Sequence, residues 1–150
     1  MYKKLSIITF VALSSFVNAD DLNATQNIEI LATQIDGSKT TANAADNVLV
    51  FYRNAVLKAD SAFFDKNSSL LTLDGNIESI GYAGTKEQTN HMVLNTLTND
   101  TKSDSLFLTN ENDIWLYTDS SKKCGNLYFL GNTMLSSCSL NDPLWKMVFD

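Results

Sequence analysis

The chain has 150 residues, 44% of them hydrophobic and 19% charged, and a net charge of −6. That acidity argues against nucleic acid, whose phosphates need clustered Lys and Arg, and against a dedicated surface for anionic membranes. One Pro and six Gly among abundant Asn, Ser, Thr and Asp fit many short strands joined by polar turns within one core-forming domain.

Residues 1–19 read as a signal peptide. Lys3 and Lys4 form the positive n-region, residues 5–16 are mostly apolar, and Val17-Asn18-Ala19 is a small-residue cleavage site. The apolar stretch falls short of the roughly 20 residues a bilayer span needs; a retained anchor is the alternative. Cleavage takes away Lys3 and Lys4, leaving 131 residues with a net charge of −8. The expected product is exported, and its two cysteines, Cys124 and Cys138, enter an oxidising compartment where disulfides form. Counting alone leaves their partners open.

Residues 20–27 read as a flexible mature N-terminus. A first strand is expected at 28–32, a turn at Asp36-Gly37-Ser38, and an extended edge over 40–46. Residues 47–52 form a strand that places Val48, Val50 and Tyr52 on one face and Leu49 and Phe51 on the other. With both faces apolar, one side is expected to be buried and the other partly covered or ligand-facing. Arg53-Asn54 turns the chain into a strand over 55–64, and residues 65–68 turn it again. Strands follow at 70–73 and 76–80, with Asp74-Gly75 between them read either as a tight hairpin or as a kink in a continuing strand. Residues 81–89 look loosest. Further strands are expected at 91–97, 105–109, 114–118, 127–130 and 134–136. This spacing of roughly ten residues belongs to an all-β sandwich or jellyroll, and no segment beyond the signal sustains a helical period.

The second half repeats the first in outline. Lys102-Ser103-Asp104-Ser105 sits like Lys58-Ala59-Asp60-Ser61, and Gly131-Asn132 like Gly75-Asn76. Repeated units that stack on their neighbours build solenoid-like folds.

Little in the sequence points to catalysis. His91 is the only histidine, with no nucleophile or zinc-ligand spacing around it. The carboxylates fall mainly at turns, and no pair recommends itself as a glycosidase couple. There is no phosphate-binding glycine loop and no calcium loop, so a non-enzyme without cofactors or metal is expected. Sequons occur at Asn23, Asn67 and Asn99, and two carry an Asp two residues earlier; in so Asn-rich a chain they are expected by chance.

Ala45-Asp46 and Ala59-Asp60 open two successive strand units, and a third closes on Leu73-Asp74-Gly75-Asn76-Ile77. This arrangement resembles the repeat of the OstA-like family of bacterial lipopolysaccharide-transport proteins (the LptA/OstA-like family). The tail, Ser137-Cys138-Ser139-Leu140-Asn141-Asp142-Pro143-Leu144-Trp145, resembles the signature that closes the periplasmic domain of the outer-membrane LptD family. The likeness spans about residues 28–147. It implies an all-β OstA-like β-jellyroll over 28–137, with an open apolar groove, and a connector over 138–150 that would lead into an outer-membrane barrel. It also implies a non-catalytic acceptor and guide for lipopolysaccharide in the periplasm, associated with the outer membrane. The implied partners are the lipid A acyl chains, a periplasmic LptA-like bridge protein, and the outer-membrane β-barrel with its lipoprotein plug. The family barrel is several times longer than this chain, so an amino-terminal piece or a free-standing relative is expected.

Exposing a dozen methylenes to water costs on the order of 10 kcal/mol, which a lined groove avoids. Period-two alternation offers Val48, Val50, Leu71, Leu73, Ile114, Leu116, Leu127 and Phe129 as lining candidates; the same residues would serve as an ordinary core. Residues Ile28, Ile30 and Ala32 form the candidate docking edge for β-augmentation. The family cysteine at the tail is matched by Cys138, and Cys124 has no counterpart. Without a barrel, a Cys124–Cys138 bridge enclosing 13 residues would be worth about 3 kcal/mol in the chain-entropy picture. The readings from other classes are a free-standing LptA-like bridge protein and an unrelated secreted structural β-sandwich.

Overall fold

A computed structural model describes residues 28–80, 84–141 and 143–150. The expected signal peptide, the stretch 20–27 and the Asn23 sequon lie outside the described residues. The elements run β1 (Ile28–Leu31), β2 (Gln34–Gly37), β3 (Thr41–Tyr52), β4 (Ala55–Asp65), β5 (Leu70–Ile80), β6 (Lys86–Asn95), β7 (Thr101–Ser103), β8 (Leu106–Thr109), β9 (Trp115–Cys124), β10 (Leu127–Ser136) and β11 (Met147–Phe149). All eleven join one antiparallel sheet in the order β1-β3-β4-β5-β6-β7-β9-β10-β11, with β2 on β3 and β8 bridging β6 and β9. β1 and β11 close the two ends of this path without pairing with each other. The fold is an all-β jellyroll of antiparallel strands.

Five connections are tight, and left-handed residues make them. Arg53 (φ 52°), Ser69 (φ 57°), Asn99 (φ 65°), Asp113 (φ 58°) and Gly125 (φ 58°) each sit between strands. Asx-type hydrogen bonds hold three of these turns. Asp65 Oδ1 accepts from Asn67 N, Asn95 Oδ1 from Leu97 N and Thr98 N, and Asn110 Oδ1 from Asn112 N and Ile114 N.

The strands are longer than their alternating runs predict. β3 takes in the segment expected as a separate edge at 40–46. β5 runs unbroken through Asp74-Gly75, so the kink reading holds and no hairpin forms. The stretch expected to be loosest holds the start of β6, with Lys86–Thr89 paired to 77–80. β9 and β10 also continue past their expected ends, to Cys124 and through Gly131-Asn132. The reason is the same each time: these extensions are polar, so periodicity does not mark them, while the backbone ladder continues because both neighbours supply partners.

The extensions meet at a common crease. Register shifts occur at Ala45/Val48 in β3, at Lys58/Ser61 between β4 and β5, and at Asp74/Ile77 between β5 and β6. Asp46 and Asn47 (φ 62° and 54°), Gly75 and Asn76 (φ 76° and 44°) and Asn132 (φ 41°) take left-handed backbone along it, a conformation Asn, Asp and Gly tolerate best. β7 and β8 break at Asp104-Ser105 on the same line. Side chains stitch neighbouring strands there. Asp46 accepts from Gln34 Nε2 (3.1 Å), Asp60 from Asn76 Nδ2 (2.8 Å) and Asp119 from Asn132 Nδ2 (3.2 Å), while Asp74 Oδ1 meets His91 Nδ1 (2.5 Å).

The core lies under β3–β6. Val48, Val50, Leu57, Leu71, Leu73, Ile77, Met92 and Leu94 are its main buried side chains, with Ile28, Ile30 and Ala32 packed at its margin. Tyr52 closes one end, its buried hydroxyl donating to the Thr96 carbonyl at 2.9 Å.

Candidate functional site

The interior face changes character between the two halves of the roll. In the β3–β6 half, Val48, Val50, Leu71 and Leu73 are fully buried. Register carries that face across β8, β9 and β10. Leu106 lies beside Thr118 and Thr133, and Leu108 beside Leu116 and Leu135. Leu106, Thr118 and Thr133 are buried, but Leu108, Leu116 and Leu135 are only half-buried. Beyond the crease the inward row shifts by one residue, so Ser103, Ser121 and Leu130 continue it. Leu130 is again half-buried. Among the described residues, the second half thus holds a line of inward-facing, half-buried leucines in a sheet whose end strands β1 and β11 do not pair.

Two polar side chains mark the far part of this seam. Tyr128, one row on from Leu130, reaches across the interior to donate to Glu87 Oε1 at 3.3 Å. Lys123 Nζ lies 5.3 Å from the centre of the Tyr128 ring. Partial burial, reinforced by the Glu87 charge and hydrogen bond, pushes the Tyr128 phenol up to about 12.

The eight lining candidates divide accordingly. Val48, Val50, Leu71 and Leu73 belong to the closed core. Leu116 alone lies on the open seam. Ile114 precedes β9 in a turn and is partly exposed. Leu127 and Phe129 are on the outer face, in register with Cys124 and Lys122, and are 66% and 58% exposed. Period-two counting fails for this pair because the crease between them and Thr133 swaps the faces. Leu108, Leu130 and Leu135 were missed for the same reason; the Gly131-Asn132 signal that marks the crease was the clue to them.

Of the edge candidates, Ile28 and Ile30 pair with Tyr52 and Val50, and both pack against the core. Ala32 follows the end of β1. β1 bonds only to β3, leaving its other edge unpaired among the described residues.

Cys124 and Cys138 are free, which corrects the expected bridge. Cys124 pairs with Leu127 at the tip of the β9–β10 hairpin, whereas Cys138 follows the Trp115–Ser136 row at its other end. Nine strand residues separate those rows, roughly 30 Å, and a disulfide needs Cα atoms within about 7 Å. The tail instead folds over the outer face. Trp115 Nε1 donates to the Cys138 carbonyl at 2.7 Å, and Ser136 Oγ to the Trp145 carbonyl at 2.7 Å. This covering buries Trp115, and β11 then pairs with β10.

His91 has the orienting carboxylate that local sequence does not show, in Asp74, its cross-strand neighbour. Among the described residues no three His, Cys, Asp or Glu side chains converge as metal ligands.

No protein-family profile and no curated protein matches this sequence. Its structure is similar to the crystal structure of LptH, the LptA homologous periplasmic component of the conserved lipopolysaccharide transport device from Pseudomonas aeruginosa. The TM-score is 0.61 at 15% identity, covering 71% of this chain and 82% of that one. The likeness is one of fold.

Proposed function

We propose that this chain is a non-catalytic carrier of lipopolysaccharide in the periplasm, shielding lipid A acyl chains along the open seam of its jellyroll. The observation that carries the reading is the set of inward-facing, half-buried leucines, Leu108, Leu116, Leu130 and Leu135, in a sheet whose end strands β1 and β11 do not pair among the described residues. An ordinary sandwich buries its inward leucines, as the β3–β6 half does here. A tail laid along the seam would remove the remaining apolar area from water, at about 25 cal/mol per Å². The fold shared with a component of a lipopolysaccharide transport device supports the substrate class.

The finer reading is an acceptor domain of the LptD kind. It would receive lipid from an LptA-like bridge protein docked on the free edge of β1 and pass it to an outer-membrane barrel with its lipoprotein plug. Docking there would be through backbone, since Ile28 and Ile30 face the core. The Cys138–Trp145 tail favours this over a free-standing bridge, which needs no such connector.

Photocrosslinking tests the reading. A photoreactive residue at Leu116 or Leu135 of the exported protein is expected to form lipopolysaccharide adducts, and one at exposed Lys66 to form none. Absence of adducts at both seam positions, in a folded protein and a strain that makes lipopolysaccharide, would leave a structural β-sandwich as the better description.

A further inference from the structure

On the outer face, register sets Lys102 of β7 directly opposite Lys122 of β9. Like charges in directly opposed positions destabilise a sheet, and this chain has more acidic than basic residues with which to avoid the clash. Yet among the described residues neither lysine forms an ion pair. The pairs that occur are Lys86 with Glu78, at 3.2 Å, and His91 with Asp74. Both unmatched lysines line one open depression of about 250 Å³, together with Ser120, Ser121, Phe129, Leu130 and Gly131. Gly131 lies close against Ser120, so that a Cβ there would stand 2.9 Å from Ser120 Oγ. Two ammonium groups and a serine hydroxyl around a depression are the donors a tetrahedral oxyanion takes. Beside them, Phe129 and Leu127 offer exposed apolar surface on the same face.

We propose that Lys102 and Lys122 form a binding site for a phosphate monoester on the outside of the roll. The two lysines repel until a dianion lies between them, so the same pair that weakens the empty sheet holds the ligand. The phosphate has two sources of one chemistry, a lipid headgroup whose apolar part lies against Phe129 and Leu127, or free phosphate. Lys102, Lys122 and Phe129 share the row of the sheet that faces away from the leucine seam, and the site does not rest on the carrier reading.

The test uses the full exported chain in two arms. Inorganic phosphate is titrated while backbone amide shifts are followed, and co-flotation is measured with phosphatidylcholine vesicles with and without phosphatidic acid. Saturable shifts centred on Lys102, Ser120, Lys122 and Gly131 are expected, with affinity falling at least about tenfold in the Lys102→Gln/Lys122→Gln variant. That variant is also expected to melt higher than the parent in phosphate-free buffer and to lose the rise in Tm that phosphate gives the parent. Lysine-dependent flotation that Phe129→Ser weakens, with the phosphate titration unchanged, identifies the headgroup as the source. Lysine-dependent phosphate binding without flotation identifies the free anion. The proposal is overturned if neither arm shows saturable binding, or if the double variant binds as the parent does. Crosslinking at Leu116 is read separately, so either idea can fail alone.

Discussion

Tyr128 shows how one residue reports on an open interior. Its ring faces inward, Lys123 lies over it, and its hydroxyl donates to Glu87. A phenol beside a carboxylate, half out of water, resists ionisation, and its pKa rises from 10.0 to about 12. The linkage has a definite sign. Because the folded state holds the proton more tightly, this contribution to stability is complete below pH 10 and is lost as the pH climbs towards 12. Tyr128→Phe is expected to remove that loss from the difference in stability between pH 10 and 12 and to delete a phenol that titrates near 12 from the absorbance of tyrosinate at alkaline pH. If the phenol that the variant loses titrates near 10, the Glu87 contact does not form in solution. The Asp74–His91 pair teaches a complementary lesson. Seventeen residues separate the two in the chain, and only the strand register brings them together, so no local motif could reveal it.

At the scale of the element, the crease explains both what was legible and what was not. The small-Asp units at Asp46, Asp60 and Asp104 and the Gly-Asn pairs at 75–76 and 131–132 stood out in the sequence as a weak repeat. They are the residues that bend successive strands on one line. The apolar core positions of β3 and β5, Val48, Val50, Leu71 and Leu73, also followed from simple alternation. In β9 and β10 alternation misled. The inward set shifts by one, Leu127 and Phe129 turn outward, and polar stretches such as Ser120–Lys123 complete strands that hydrophobicity does not announce.

Gly75 tests the crease directly. It sits at φ 76°, and a Cβ there would come within 2.9 Å of the Asp60 side chain, whereas Gly125, at φ 58°, has nothing within 4 Å. Gly125→Ala is expected to cost about 1 kcal/mol from backbone strain alone, and Gly75→Ala to cost more, about 2–3 kcal/mol. Chemical denaturation of the two variants measures the difference. Equal losses would mean that Asp60 moves aside freely and the crease is not tightly packed.

Over the whole molecule, packing is uneven and the cysteines lie far apart. The closed core occupies the β3–β6 half, while the β8–β10 half keeps its leucines half-covered. The two thiols stand at opposite ends of the β9–β10 hairpin, beyond the reach of a bond. Non-reducing peptide mapping of the folded, oxidised monomer is expected to find no Cys124–Cys138 linkage. Cys124→Ser and Cys138→Ser should each leave stability within about 1 kcal/mol of the parent, where loss of a real bridge would cost about 3 kcal/mol. A linked peptide would require the hairpin to be rebuilt. Sequence could not decide this, because 13 intervening residues suit a short loop as well as a long hairpin.

The shared bend has a mechanical consequence. A sheet in which successive strands fold on one line behaves like scored card. Stitched by Asp60–Asn76, Asp74–His91 and Asp119–Asn132, it resists bending along the score and flexes readily about it. Folding about the score needs no broken backbone ladder, only a change in the angle between the two panels into which it divides each strand.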